Sequence, residues 1–466
     1  MIKRTLADIA AMSGGTLRHE SRQGEEIAGV TTDSRKVGAG QLFVPLAGEN
    51  FDGHDYVLGA LAAGANAAFW QASRPIPSEL ADATLVLVDD TLEALQRLAS
   101  AYREQLNVRV VGVTGSNGKT TTKDMIAAVL ASTFKVHKTA GNYNNHIGLP
   151  LTVLDMEEDV EAAVLEMGMS GFGEIDLLTR IGRPDVAIIT NIGDAHLLQL
   201  GSREGIAKAK LEIAAGIREG GLLLFNGDEP LLHAGVAALP STFEKETFGL
   251  GEANDWRADN VDVDAVSSAF DAHGKNGVGI PDISIPVPGR HNVSNALAAI
   301  AAGLRLGVPI GRIAGSLAAL SLTGMRIEPV RAYNNALVLS DAYNANPTAV
   351  RAAIDLVAQL SGYRRKWLVL GDMLELGPEE EGLHAGIGDY VTAAKADRLL
   401  TFGPLSKHTA AAASRNLADD GAVRAFEAKD ELIGWLLARL EPEDLVLVKG
   451  SRGMRMEEVV HALQRG

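Results

Sequence analysis

Cysteine is absent from the 466 residues. That excludes disulfides, thiolate metal sites and cysteine nucleophiles, so any metal has to be held by oxygen or imidazole. Long apolar runs are absent too: nothing approaches the ~20 residues of a membrane span. The start, Met-Ile-Lys-Arg-Thr-Leu-Ala-Asp, lacks the apolar stretch and cleavage site of a secretion signal. No membrane insertion is expected, and the expected location is the cytoplasm. Basic clusters are missing as well. With a formal net charge of −16 and no Lys/Arg-rich segment, a nucleic-acid-binding surface is not expected, although a local positive pocket for phosphates is compatible with this balance. There is no low-complexity segment and no short-period repeat. What the chain does have is a 46% apolar fraction, ample for several cores, and a length that predicts roughly two to four domains.

Residues 110 to 124 read Val-Val-Gly-Val-Thr-Gly-Ser-Asn-Gly-Lys-Thr-Thr-Thr-Lys-Asp, an apolar strand, a glycine-flanked turn and a Lys-Thr helix start. This is how proteins grip a nucleoside triphosphate. Gly115 and Gly118 let backbone N–H groups of the Gly115-Ser116-Asn117-Gly118 turn face phosphate oxygens, Lys119 sets an ammonium on the β and γ phosphates, and Thr120 and Thr121 follow, Thr120 offering a hydroxyl to Mg²⁺. The helix start adds its positive end to the same anion site. The usual pattern has a glycine five residues before Gly118, where this chain has Val113. The loop is therefore a shorter variant, and a plain glycine-rich strand-to-helix turn is the bland alternative.

The first hundred residues hold short strand-like runs (41–45, 67–70, 85–88) between polar loops and alanine-rich helical stretches, a small α/β domain. From Val108 apolar strands end at polar residues: 108–113, 162–166, 185–190 and 222–225, with helical patterns at 124–131 and 175–180. That alternation predicts a parallel sheet with crossovers, whose ligands bind beyond the carboxyl ends of the strands. Glu166, Asn191 and His196 fall there. Residues 248–289 turn polar and irregular, with alternating segments at 256–263 and 283–287 that suggest added antiparallel strands, and a helix over 292–306 closes the section. A third αβ series runs through 336–340, 367–370, 398–402 and 445–449. The expected class is α/β in three domains: 1–106, small and N-terminal; 107–325, a central phosphate-loop ATPase domain on a parallel sheet; 326–466, Rossmann-like.

Outside the loop, Glu166 and His196 are an oxygen and an imidazole that could complete a Mg²⁺ shell begun by Thr120 and phosphates; a hydrogen-bonded structural histidine is the alternative. Lys208 and Lys210 most simply form the wet face of a helix. Asn292 and Asn295 open a helix and lie on one face, so they either cap it or read an adenine edge. Asp341, heading Asp-Ala-Tyr-Asn-Ala-Asn-Pro, either begins a turn or binds a ribose hydroxyl. Arg326 stands at the expected hinge, where a guanidinium can bridge phosphates.

Taken together, Thr-Gly-Ser-Asn-Gly-Lys-Thr-Thr (114–121), Gly-Asn-Tyr-Asn-Asn-His-Ile-Gly-Leu-Pro-Leu-Thr (141–152), Glu-Met-Gly-Met-Ser (166–170), Thr-Asn-Ile-Gly-Asp-Ala-His (190–196), Gly-Arg-His-Asn-Val-Ser-Asn-Ala (289–296) and Met-Arg-Ile-Glu (325–328) closely resemble the Mur ligases, over nearly the whole chain. Asp33-Ser34-Arg35, the segment 43–56, Asp-Ala-Tyr-Asn-Ala-Asn-Pro (341–347), Leu-Gly-Asp-Met-Leu-Glu-Leu-Gly (370–377) and Val-Lys-Gly-Ser-Arg-Gly-Met-Arg-Met-Glu (448–457) are similar to the branch that adds D-Ala-D-Ala to UDP-MurNAc-tripeptide.

The resemblance implies an ATP-dependent ligase of peptidoglycan precursor synthesis, with those two small molecules as its partners, acting as a monomer. It implies that Ser34, Arg35, Gly48, Glu49, Asn50 and Phe51 contact the UDP-sugar, that Gly115 to Thr121 cradle the triphosphate, and that Thr120, Glu166 and His196 surround magnesium, with Lys119, Lys210 and His196 catalytic. Asn295, Arg326 and Asp341 would hold adenine, phosphate and ribose. A second Mg²⁺ would lean on a carbamylated lysine, with which Lys210 aligns best while Lys208 leaves the register open. Asn142, Asn144 and Asn145 would wall the phosphates, and Asn344 and Asn346 would add amides near the nucleotide or the incoming amine. His146 stands where many relatives carry an acidic residue. For the general base, His384 is only a loose candidate against a solvated surface histidine. A folylpolyglutamate-type amide ligase and a non-enzymatic nucleotide switch are the competing classes; the Asp-Ser-Arg block speaks against the first, and the Glu, His, Asn and Arg elements outside the loop against the second.

Overall fold

Every strand of the central sheet runs the same way, so all its loops with chemistry emerge on one edge. The computed structural model describes all residues except 49, 50, 323–326, 418 and 420. In the central section six parallel strands lie in the order Glu244–Phe248, Leu222–Asn226, Val186–Ile189, Arg109–Thr114, Ala162–Glu166, Val136–Lys138. The middle strands are apolar on both faces because helices cover both, which is the usual fate of a parallel sheet. The two edge strands, Glu-Lys-Glu-Thr-Phe and Val-His-Lys, carry too much solvated polarity to show in an apolar pattern. The helix after the phosphate loop begins at Lys119, at the expected Lys-Thr start, because Gly118 in the left-handed region ends the loop there; its polar, β-branched first turn falls outside the apolar helical pattern that begins at Asp124.

One face of this sheet packs on the helices Lys119–Ala131 and Arg290–Arg305 and on an antiparallel three-stranded sheet, Arg257–Val263, Ser268–His273 and Gly279–Ile285. The other face is continuous with the core of the N-terminal section. There a five-stranded sheet runs in the order Thr16–Leu17, Leu85–Val88, Ala67–Gln71, Leu42–Phe43, Val30–Thr31, antiparallel only at its first pair. Helix Thr91–Gln105, capped by Asp90, presents Leu95, Leu98 and Tyr102 to Leu149, Val153, Leu178 and Ile181 of the central section. The C-terminal sheet, Glu328–Arg331, Leu337–Asp341, Leu445–Lys449, Lys366–Gly371, Arg398–Phe402, Val423–Phe426, is parallel except for its first strand and has an apolar core on each face.

The junction between the first two sections is pinned by a buried cation. Arg103 is fully buried and donates to the carbonyls of Gly182 (2.9 Å), Val108 (3.2 Å), Leu106 (3.3 Å) and Arg183 (3.4 Å). Burial, followed by the charge of Arg218, brings its pKa down to about 10. An Arg103→Met variant keeps the volume but strands those carbonyls without donors; it is expected to lose about 2–4 kcal/mol, read as a fall in the midpoint of the unfolding transition that reports on the N-terminal and central sections.

Candidate active site

The phosphate loop leaves the strand Arg109–Thr114 at Gly115, whose φ of 148° and whose surroundings both require glycine: a Cβ there would lie 1.8 Å from Thr190 Oγ1. That hydroxyl donates to the Asn117 carbonyl at 2.6 Å, and Asn191 clasps the same residue, donating from Nδ2 to its carbonyl at 3.0 Å and accepting its N–H at Oδ1 at 3.0 Å. Ser116 Oγ accepts the Gly193 N–H at 2.8 Å. The loop is thereby held open by the neighbouring strand end, with the N-terminus of a 13-residue helix behind it. Lys119 Nζ folds over the loop to the carbonyl of Gly115, 2.7 Å away.

Thr120, in the first turn of the helix, and Glu166, at the end of the strand Ala162–Glu166, meet: Thr120 Oγ1 donates to Glu166 Oε2 at 2.9 Å, and Asn144 Nδ2 donates to Oε1 at 2.8 Å. Lys123, fully buried one turn further along the helix, lies 4.0 Å from Glu166 Oε2 and donates to the Thr139 carbonyl at 2.8 Å. His196, in the left-handed region at φ 64°, has its Nδ1 3.4 Å from Glu375 Oε2 of the C-terminal section, without the alignment of a hydrogen bond. Burial, and then the charges of Lys119 and Lys210, bring the imidazole from 6.5 down to about 4, so it is neutral and carries a lone pair at physiological pH. The two lysines on the following helix separate: Lys208 is exposed over the Phe172 ring, whereas Lys210 is buried and its ammonium is pushed well below its ordinary range by burial and by Lys119. Lys210 therefore faces the site, and the wet-face reading holds for Lys208 alone.

Opposite stands the C-terminal section. Asp341 and Lys449 are direct neighbours on adjacent parallel strands and pair at 2.5 Å, with Lys449 also donating to the Asn344 carbonyl at 2.9 Å. Asn292 and Asn295 are buried on their helix and bonded to each other, Asn295 Nδ2 to Asn292 Oδ1 at 3.2 Å; Asn295 lies close behind Gly118. Between the two sections opens a cleft of about 1220 Å³, lined by 116–121, Asn142, Asn144, Asn145, Glu166, His196, Asn295, Asp341, Asn344, Asn346 and Lys449, among others. Lys449 and His291, also at the cleft, stand in motifs that carry the family resemblance but are not among the expected site residues. Lys449 ends an expected strand, a position where polar residues meet ligands, and this could have flagged it.

Other expected residues lie elsewhere. Ser34, Arg35, Gly48 and Phe51 do not line this cleft; they are on the N-terminal section, where Arg35 forks Asp33 at 2.8 and 2.9 Å and, through that bonding, holds its carboxyl at about 2. Glu49, Asn50 and Arg326 lie outside the described residues. His146 is not among the lining residues. His384 is neither solvated nor available as a base: it is buried, with Nδ1 bonded to the Glu380 carbonyl at 2.7 Å and Nε2 accepting the Met373 N–H at 3.0 Å.

Family models describe the chain in three consecutive stretches: "Mur ligase family, catalytic domain" over 26–103, "Mur ligase middle domain" over 113–303 and "Mur ligase, glutamate ligase domain" over 325–452. The chain belongs to the Mur ligase family. It is 49% identical, over 99% of both chains, to the UDP-N-acetylmuramoyl-tripeptide--D-alanyl-D-alanine ligase of Bacillus subtilis. Its fold matches a crystal structure of MurF from Acinetobacter baumannii with a TM-score of 0.90 and 31% identity, covering 100% of each chain. A Thermotoga maritima MurF ligase in complex with ADP matches with a TM-score of 0.80 and 28% identity, covering 94% of this chain and 97% of that one.

Two outcomes follow from the geometry. Gly115→Ala is expected to displace the loop from Thr190 and weaken ADP binding by roughly 100-fold or more, measured by calorimetric titration, with a normal circular dichroism spectrum. The His196 ring is expected to titrate near pH 4 by NMR. Because its folded pKa is depressed from 6.5 to about 4, the unfolded chain takes up that proton first, so stability falls as pH drops through this window and His196→Gln should flatten the fall.

Proposed function

We infer that the chain is an ATP-dependent ligase that joins D-Ala-D-Ala to UDP-MurNAc-tripeptide, giving UDP-MurNAc-pentapeptide, ADP and phosphate in peptidoglycan precursor synthesis. One observation carries the reading: a phosphate loop and a buried carboxylate on one wall of a large cleft face the strand ends of a Rossmann-like section on the other. Full-length similarity to the Bacillus subtilis ligase selects this amide ligase over a folate type, and a nucleotide switch has no use for the second wall. The three units are 1–106, 107–325 and 326–466, and the chain acts as a monomer in the cytoplasm; among the described residues no helix is long and apolar enough to cross a membrane.

The site suits magnesium. Among the described residues no three His, Asp or Glu side chains cluster as a metal cage, while Thr120 and Glu166 put one hydroxyl and one buried carboxylate together. Mg²⁺ favours such a sparse protein set completed by triphosphate oxygens and water. Thr120, Glu166 and the neutral His196 would hold it, and when bound it supplies positive charge against the phosphates. Lys210, whose ammonium burial pushes well below its ordinary range, would meet carbon dioxide as its free amine; N–C bond formation with loss of a proton would give the carbamate that serves a second ion.

Catalysis then follows from charge and shielding. The γ-phosphoryl group of ATP passes to the terminal carboxylate of the tripeptide, and Lys119 neutralises charge that spreads over the transferring group. The dipeptide amine, having lost its proton, attacks the acyl carbon, and the tetrahedral adduct collapses with expulsion of phosphate. Asn295 would hold adenine, Asp341 ribose and Arg326 phosphate, while Ser34, Arg35, Gly48, Glu49, Asn50 and Phe51 would hold the UDP-sugar. Closure of the C-terminal wall keeps water from the acyl phosphate.

With ATP and Mg²⁺, phosphate release is expected only when UDP-MurNAc-tripeptide and D-Ala-D-Ala are both supplied, with a pentapeptide product by mass. Lys119→Ala should lower kcat by about 10³-fold. Release indifferent to both substrates would refute the reading.

A further inference from the structure

Asn117 sits in the middle of the phosphate loop, yet its side chain turns away from where phosphates would lie and reaches the C-terminal section. Asn346 Nδ2 donates to Asn117 Oδ1 at 2.7 Å, and Asn117 Nδ2 donates back to Asn346 Oδ1 at 3.3 Å. The orientation of Asn346 is set by a second duty. It is the N-cap of helix Pro347–Gln359, its Oδ1 accepting the Ala349 N–H at 3.0 Å, so its Nδ2 can only point outward as a donor. One turn along, Thr348 Oγ1 donates to Asp194 Oδ2 at 2.9 Å. Asp194 belongs to the same 190–194 segment that clasps Asn117 and Ser116. Phosphate loop, strand-end loop and helix N-terminus thus form one hydrogen-bonded unit across the cleft. Asn346, 3% exposed at this junction, exchanges its partner on the phosphate loop for water whenever the two walls part, so the paired amides belong to the docked arrangement alone.

We propose that Asn117 and Asn346 are positioning residues that couple the conformation of the phosphate loop to docking of the C-terminal section, so that the amine-delivering wall is seated while the acyl phosphate exists. The pair touches neither reacting carbon nor phosphorus; it acts by timing the seal. Without it, water instead of the dipeptide amine attacks the acyl phosphate, breaking its bond to the phosphoryl oxygen, restoring the tripeptide carboxylate and releasing phosphate with no peptide bond made. This rests on the ligase reading above.

Asn346→Ser tests it, because serine caps a helix as well as asparagine does but is too short to span to Asn117. Phosphate released and pentapeptide formed are measured side by side for the parent, Asn346→Ser, Asn117→Ala and the double variant. The parent is expected to give one phosphate per pentapeptide. Asn346→Ser should lower kcat for pentapeptide roughly 10–100-fold, with phosphate exceeding pentapeptide. The double variant should be no worse than the poorer single one, the mark of a shared interaction. One phosphate per pentapeptide in both single variants, or additive losses, overturns the proposal. A parent that makes no pentapeptide would instead overturn the ligase reading.

Discussion

The contact between Gly115 and the Thr190 hydroxyl sets the geometry on which the rest of the cleft depends. Because no Cβ fits there, the phosphate loop can lie against the end of the strand Val186–Ile189, and because Thr190 then bonds the Asn117 carbonyl, the loop cannot collapse into its own space. Lys119, Thr120 and the helix N-terminus inherit their positions from that contact. The adjacent parallel strand sets Glu166 beside Val113, and the turn of the phosphate loop carries the first helical turn back over that strand end, so Thr120 meets the carboxylate.

Charge in this site is arranged so that little of it is stable alone. Lys123 lies between two buried carboxylates, Glu166 and Asp124, while Lys119 and Lys210 act on one another and on a neutral imidazole, His196. Burial drives Lys210 and His196 toward their uncharged forms, which lessens the mutual repulsion and leaves two lone pairs for chemistry. The anions that such a pocket lacks are those a nucleotide brings.

Much of this was legible in the chain. The phosphate loop, the strand ends at Glu166 and Asn191, and the strands 162–166, 398–402 and 445–449 showed because buried parallel strands are apolar runs and strand ends are where polarity returns. Edge strands such as 136–138 and 244–248 did not show, since solvent on one side erases the pattern. Between Lys208 and Lys210 the resemblance leans to Lys210 while composition and periodicity leave both open: both sit on one helix, and only the tertiary packing buries Lys210. His384 misled because its neighbours in Gly-Leu-His-Ala-Gly do not show what the ring packs against, while here two backbone groups consume its ring. Lys449 was not among the expected site residues although it ends an expected strand, its polarity hidden within Val-Lys-Gly.

The shared core beneath the central sheet, in which Leu95, Leu98 and Tyr102 interlock with Leu149 and Leu178, has a bearing on how such chains diversify. A fragment exchanged at the apparent linker near residue 106 would split one hydrophobic interior between two ancestries, with Arg103 reaching for carbonyls it was not matched to. Recombination among relatives is far less disruptive near the start of the Rossmann-like section, whose two cores are its own. The C-terminal section can therefore change by exchange as a unit, whereas the N-terminal section must change by substitution within a frame it shares with the central sheet.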